Sequence, residues 1–208
     1  MSWFYNMSGD FMTCSEKVGA FRIWNASQKT PKSIIKVGAT GIRSFESFKD
    51  DPNMFVAVFK DGSLGLFNLK KKKVVWTIEA GHSETIFDIK FKNADASILA
   101  TGSYDGYIKI WNTNTMKLLA TLSQQVKRKP GEKTDNGQIV YCISWAPGDD
   151  VRLISSHANG DIVVWDYTKN KLLFKFRPGS EGPIFRVDWN LNNKEYITCG
   201  STEGNWYF

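Results

Sequence analysis

Apolar residues recur along the chain in short runs of five to seven, and Gly, Asp or Asn separates one run from the next. The runs are rich in Ile, Val, Phe and Trp, and none shows the 3.6-residue spacing of an amphipathic helix. Runs of this length and composition are typical of β-strands. The pattern therefore predicts an all-β chain.

One motif recurs along the chain, a glycine that opens an apolar run. The glycines lie 43, 44, 54 and 44 residues apart, at Gly19, Gly62, Gly106, Gly160 and Gly204. After each of the first four, an aromatic residue follows five positions later, at Trp24, Phe67, Trp111 and Trp165. Self-similarity at a fixed period indicates a repeat architecture.

Each repeat contains four short apolar segments. Upstream of the glycine, ILATGSYDG (98–106) matches LISSHANG (153–160), and TIFDIKF (85–91) matches IVYCISW (139–145) and PIFRVDW (183–189). A further segment lies between repeats, at 33–37, 73–78, 117–122 and 171–176. Four antiparallel strands in every ~44 residues predict a β-propeller.

Three dipeptides predict the hairpin turns. Asp61-Gly62, Asp105-Gly106 and Asn159-Gly160 each lie between two apolar runs. Such dipeptides favour a two-residue turn in which both central residues have positive φ.

In the third repeat, Gly81-His82 precedes Ser103-Tyr104-Asp105-Gly106, and Trp111-Asn112 follows. These motifs resemble those of the WD-repeat family. In that family four side chains hydrogen-bond across one blade, and the resemblance implies a structural tetrad of His82, Ser103, Asp105 and Trp111. A histidine, a hydroxyl, a carboxylate and an indole N–H can satisfy one another away from water.

Other repeats depart from the tetrad. The second repeat has Phe59 and Phe67, and the fourth has His157 and Asn159 where Ser and Asp would stand. Those blades are expected to depend on packing instead.

The resemblance covers the whole chain and implies an incomplete arc of about five blades. The expected bounds are a partial blade 1–25, full blades 33–68, 73–112 and 117–166, and a partial blade 171–208. Both ends fall inside a blade, so the chain is expected to be a fragment of a larger propeller.

Strand direction predicts which loops share a face. The hairpin turns and the loops between blades lie at the same end, so we expect a rim that contacts a partner protein through Lys60, Thr85 and Tyr104. Two interpretations of Tyr104 stay open: it grips a partner, or its ring lies over a neighbouring turn. The segment 124–137 is expected to be a surface loop on the same rim.

The formal net charge of +6 raises the question of an anionic ligand. The two basic clusters, 70–73 and 127–133, are expected on opposite faces, which disfavours nucleic acid because a binding surface needs contiguous charge. Phe176-Arg177-Pro178-Gly179 resembles the FRRG motif of phosphoinositide-binding propellers, but Pro178 replaces the second arginine. A binding module for RNA or a phosphoinositide headgroup stays the alternative function.

Other function classes lack their sequence signals. There is no GxSxG, GxxxxGK[ST] or HExxH motif, and His82, Ser103 and Asp105 are expected inside a blade rather than in a hydrolase triad. Three dispersed cysteines and two histidines predict no metal site, no cofactor and reduced thiols in a cytoplasmic protein. No apolar run is long enough to span a membrane. The sequence predicts a non-catalytic scaffold for other proteins.

Overall fold

The structure is a computed structural model. It describes residues 2–3, 9–37, 41–93, 95–124, 138–148, 151–179, 181–204 and 206–207, with the backbone alone at 2–3 and 206–207. The expected loop at 124–137 therefore lies outside the described residues, apart from Gln124. The chain divides into two units, residues 1–86 and 87–208.

The first unit contains two four-stranded antiparallel sheets in which each strand pairs with its neighbours in sequence. The strands of the first sheet are β1 (Ser2–Trp3), β2 (Asp10–Ser15), β3 (Ala20–Asn25) and β4 (Ser33–Lys36). Those of the second sheet are β5 (Ile42–Ser47), β6 (Met54–Phe59), β7 (Leu64–Asn68) and β8 (Lys73–Ile78).

Among the described residues, the second unit contains two more four-stranded sheets and one sheet of three strands, all antiparallel. Strand β9 begins at the last residue of the first unit. The third sheet comprises β9 (Ile86–Lys92), β10 (Asp95–Ser103), β11 (Tyr107–Asn112) and β12 (Lys117–Ser123). The fourth comprises β13 (Val140–Trp145), β14 (Arg152–His157), β15 (Ile162–Asp166) and β16 (Lys171–Phe176). The fifth comprises β17 (Ile184–Trp189), β18 (Ile197–Ser201) and β19 (Trp206–Tyr207). The predicted all-β fold of four-stranded antiparallel blades is confirmed.

The sheets differ from the expected blade bounds by one strand. β4, β8, β12 and β16 each pair with the strand that precedes them, whereas the expected blades grouped them with the strands that follow. A short polar turn causes this pairing. In the fourth sheet, for example, the Asp166 carboxylate accepts hydrogen bonds from the backbone N–H of Thr168 and Lys169, and the chain returns through Asn170 at φ +51°.

The expected turn geometry is also corrected. Gly62, Gly106 and Gly160 have φ near +80°, but the residue before each glycine does not have positive φ. Gly106 N donates to Ser103 O at 3.1 Å, which closes a type I turn with the glycine as a left-handed bulge. A Cβ on Gly62 would also lie 2.3 Å from the His82 carbonyl oxygen.

Separate apolar clusters stabilise the units. In the first unit, Phe21, Phe55 and Phe67 pack with ring centroids 4.6–5.7 Å apart, together with Met12, Ile42 and Phe45. In the second, Trp165 and Trp145 lie in a cluster of aliphatic residues from the third and fourth sheets. Among the described residues there is no helix that is both long and apolar enough to cross a membrane.

Candidate functional site

A buried line of hydrogen bonds crosses the fourth sheet. Trp165 Nε1 donates to Ser155 Oγ at 2.8 Å, and Ser155 Oγ lies 2.8 Å from His157 Nε2. His157 Nδ1 lies 3.1 Å from the carbonyl oxygen of Gln138. Because that carbonyl can only accept, Nδ1 carries the hydrogen, and the Ser155 hydroxyl donates to Nε2. All three side chains are therefore satisfied without a charge.

Burial lowers the pKa of His157 to about 4, so its imidazole is neutral near pH 7. A neutral histidine beside a serine has the composition of a base and a nucleophile. However, Ser155 is completely buried and already accepts the indole hydrogen. The arrangement connects β14 to β15, and it offers no access to a substrate.

In the third sheet the indole partner is Thr101. Trp111 Nε1 donates to Thr101 Oγ1 at 2.9 Å, whereas Ser103 Oγ accepts from the backbone N–H of Asp105 at 3.2 Å. Asp105 Oδ1 accepts from Tyr107 N at 3.0 Å within the turn. His82 lies in the first unit, where its backbone N–H donates to Gly62 O. The tetrad as a whole stays a prediction.

Thr101 was not among the residues expected at the site, although a comparison of the repeats carries a signal for it. In the third and fourth sheets a hydroxyl lies ten residues before the tryptophan, at Thr101 and Ser155, and in the first sheet Trp24 Nε1 donates to Thr13 Oγ1 at 2.9 Å. The signal is thus a Ser or Thr ten or eleven residues before Trp. In the second sheet both positions are apolar, at Ala57 and Phe67.

The expected rim residues lie in different units. Thr85 Oγ1 donates to the backbone carbonyl of Lys60 at 2.9 Å, and Lys60 Nζ lies 3.8 Å from Glu16 Oε1. Tyr104 belongs to the second unit, where its ring centroid lies 6.2 Å from that of Phe87. Tyr104 still exposes 38% of its surface, so it is both packed against a strand and accessible.

Tyr104 is one end of a line of aromatic side chains in the second unit. The ring centroid of Phe87 lies 5.3 Å from that of Tyr141, and the ring centroid of Tyr141 lies 4.8 Å from that of Phe185. Phe185 is 52% exposed. We call Tyr104, Phe87, Tyr141 and Phe185 the aromatic row. Phe87, Tyr141 and Phe185 are each the second residue of the first strand of a sheet, so the repeat itself sets their spacing.

Hydrogen bonds between the sheets fix the strands that carry the aromatic row. Asp88 Oδ2 accepts from the backbone N–H of Ile143 at 3.1 Å, which joins β9 to β13. Ser144 Oγ donates to Asp188 Oδ1 at 2.9 Å and joins β13 to β17. Burial raises the pKa of the Tyr141 hydroxyl, which favours its uncharged form. The result is an apolar surface in which three rings lie on hydrogen-bonded strands and Tyr104 lies in the turn after β10.

The basic residue of the FRRG-like motif is already paired. Arg177 Nε donates to Asp161 Oδ1 at 2.7 Å, and Lys175 Nζ lies 3.5 Å from the other carboxylate oxygen. Asp161 is 3% exposed. Burial acts to raise the pKa of its carboxyl, but the hydrogen bonds that it accepts from Arg177 and Asn159 help to hold the pKa below its ordinary value. This pairing disfavours a phosphoinositide at Arg177. Within the described residues no three His, Cys, Asp or Glu side chains could hold a metal ion.

Comparisons with known proteins agree with this geometry. The family model described as the anaphase-promoting complex subunit 4 WD40 domain matches residues 47–147. The chain is 22% identical to the GATOR2 complex protein WDR24 of Danio rerio over 199 residues, which cover 94% of this chain and 24% of the relative. These findings support the WD40-repeat family.

Other WD-repeat proteins match shorter stretches. The WD repeat-containing protein VIP3 of Arabidopsis thaliana is 26% identical over 60% of this chain and 38% of its own length. The F-box-like/WD repeat-containing protein TBL1X of Mus musculus is 28% identical over 52% of this chain and 18% of its own length. The chain therefore spans less than two fifths of the length of each of these relatives.

Proposed function

We propose that this chain is a non-catalytic, cytoplasmic protein-interaction scaffold, and that the aromatic row contacts a partner protein. The observation that carries the proposal is a continuous line of partly exposed rings on three successive sheets. The names of two similar proteins, a GATOR2 complex protein and an F-box-like/WD repeat-containing protein, describe a member of an assembly and a WD-repeat protein. The first name agrees with a role in assembly.

The physical properties of the row suit protein recognition. Tyrosine and other large aromatic residues dominate the binding energy of interfaces because they remove much apolar surface from water. Rings on hydrogen-bonded strands lose little conformational entropy when a partner binds. Tyr104 and Tyr141 add hydroxyl groups that can bond at the margin of an apolar contact.

Lys60 and Thr85 have different proposed roles. The Lys60 side chain is 66% exposed, so it is available to a partner. Thr85 donates its hydroxyl to the Lys60 carbonyl, and we propose that it positions the turn rather than contacting the partner.

The sequence also resembles one particular member of the family. Residues 59–68, 81–92, 98–115 and 141–149 resemble WD repeat-containing protein 17, a large protein with WD repeats near its N-terminus. We infer from this resemblance a scaffold role without assigned chemistry.

Two phenylalanines allow a matched test of the aromatic row. Phe185 in the row and Phe174 on β16 are each 52% exposed, so Phe185→Ala and Phe174→Ala remove similar surface. We expect proteins captured from a lysate at moderate salt to be retained about tenfold less by Phe185→Ala, and unchanged with Phe174→Ala. Quantitative mass spectrometry measures retention, and circular dichroism checks the fold. If the unchanged chain, Phe185→Ala and Phe174→Ala all retained the captured proteins equally, the proposal would be contradicted.

A further inference from the structure

We propose that a cavity in the first unit binds one apolar side chain of an acidic peptide segment in a partner protein. The cavity has a volume of ≈ 150 Å³ and lies between β4 and the turn that joins β7 to β8. We call it the basic cavity. It uses no residue of the aromatic row, so the inference goes beyond the proposed function and does not depend on it.

The floor of the basic cavity is apolar. Ile35 and Val37 of the first sheet and Leu69 of the second are partly buried against the core cluster of the first unit, and Phe55 and Phe67 close the inner end. An apolar cavity of about 150 Å³ can hold a group the size of benzene. The space therefore suits one aliphatic or aromatic side chain.

The rim of the basic cavity is positively charged. Lys36, Lys72 and Lys73 line it and are exposed, and none of them forms an ion pair with another described residue. Lys70 and Lys71 add charge in the same turn. Carboxylates on both sides of an inserted apolar side chain would meet this charge without first displacing an internal partner.

The turn that carries the lysines has a defined backbone. Lys72 N donates to Leu69 O at 3.2 Å, Asn68 Oδ1 accepts from Lys71 N at 2.8 Å, and Lys72 has φ +48°. The charged side chains thus start from fixed positions, which reduces the entropy lost on binding.

The lining favours a peptide over nucleic acid. Binding of single-stranded nucleic acid depends on aromatic side chains exposed for base stacking, but Phe55 and Phe67 are 1% and 6% exposed. The rings can contact a side chain that enters the cavity, and they cannot stack on a base outside it.

Defined peptides test the basic cavity. The probes are fluorescein-labelled heptapeptides with three acidic residues on each side of a central Leu, Ile, Met, Phe or Ser, and fluorescence anisotropy at about 100 mM salt measures binding to the full chain. We expect at least one peptide with an apolar centre to bind about tenfold more tightly than the Ser peptide. Binding that does not depend on the central residue would overturn the proposal.

Two charge reversals in the same turn provide the matched variants. Lys72→Glu with Lys73→Glu changes the rim, and Lys70→Glu with Lys71→Glu makes the same change in net charge outside the lining. We expect the first pair to weaken the preferred peptide about tenfold and the second to weaken it less than about threefold. An equal loss of affinity in both double variants would show that the lysines attract the peptide only through general charge, and it would overturn the proposal. Lys36→Glu, on β4 across the cavity, replaces the first pair if that variant unfolds.

Two further probes separate the sources of negative charge. They are single-stranded oligouridine and phosphatidylcholine vesicles with about 20% phosphatidylserine. We expect neither to compete with the preferred peptide. Competition by either one that Lys72→Glu with Lys73→Glu abolishes would overturn the peptide assignment in favour of that ligand. Phe185→Ala should bind the peptide normally, so failure of the aromatic row and failure of the basic cavity are distinguishable.

Discussion

The second and fourth sheets use opposite chemistry at equivalent positions. In the fourth sheet Trp165 on β15 donates to Ser155 on β14, which lies diagonally across the strand pair. In the second sheet the corresponding residues on β7 and β6 are Phe67 and Ala57. Phe67 stacks on Phe55 with ring centroids 5.1 Å apart, and its side chain has no polar group that needs a hydrogen-bond partner.

The difference shows that the indole and its hydroxyl are replaced as a pair. A buried indole N–H without an acceptor, or a buried hydroxyl without a partner, costs about 1–3 kcal/mol. When both residues are replaced by apolar ones, no buried polar group is left without a hydrogen-bond partner. The second sheet therefore tolerates the loss of the polar pair, and its stability depends on ring packing instead.

The largest loss of stability is expected in the second sheet, where aromatic packing replaces the polar pair. Phe55→Ala should lower the free energy of unfolding of the first unit by about 3–5 kcal/mol, because Phe55 is 1% exposed and contacts Phe21, Phe45 and Phe67. Urea unfolding, with hydrogen exchange over residues 42–78, measures the change. Val74→Ala on the exposed outer strand is the control. A loss below about 1 kcal/mol would show that the cluster is not the main support of this sheet.

Lowering the pH should destabilise the fourth sheet, which contains His157, more than the second. His157 has a pKa of about 4 when folded, against an ordinary value of 6.5 for a solvated histidine, so the unfolded chain binds more protons between these values. The free energy of unfolding of the second unit should therefore fall as the pH falls from 6.5, by about 3 kcal/mol at pH 4.

His157→Ser is the matched variant, because serine stands at the equivalent position of the third sheet, at Ser103. Urea unfolding at a series of pH values should show that this variant lacks the loss between pH 6.5 and 4. An identical pH profile in both proteins would mean that His157 is not the group responsible.

The smallest effects test the polar pair directly. Ser155→Ala should cost about 2 kcal/mol because it leaves Trp165 Nε1 and His157 Nε2 without partners, and the reciprocal Ala57→Ser should cost about 1 kcal/mol. Adding Trp165→Phe to Ser155→Ala should cost less than the sum of the single changes, since the indole no longer needs an acceptor. Strict additivity in urea unfolding would contradict the paired replacement.

The strands could be predicted from the sequence because apolar runs mark them, and in four repeats a glycine also lies one or two residues before β3, β7, β11 or β15. The hydroxyl partner of Trp111 was missed, because the third repeat taken alone does not distinguish Thr101 from Ser103. Thr101 and Ser103 both lie on β10 with the same alternation, and only the register of Leu99 with Trp111 places Thr101 diagonally to the indole. Strand register depends on pairing, which the pattern of one strand does not contain.

The aromatic row was missed for a related reason. In β9 both Ile86 and Phe87 are apolar, so alternation does not show which of them faces outward. The turn type was ambiguous as well, since Asp-Gly fits both a two-residue turn and a type I turn with a glycine bulge. Blade bounds differed because the sequence period is the same wherever the repeat is taken to begin.

The pairing of every strand with its sequence neighbour has a consequence for how the chain folds. Each of the first four sheets uses one continuous stretch of the chain, residues 2–36, 42–78, 86–123 and 140–176. Contacts between residues close in sequence need little loop closure, so their formation is fast. We expect each sheet to form its backbone hydrogen bonds during synthesis as soon as its outer strand leaves the ribosome, with side-chain packing completed when the next sheet arrives.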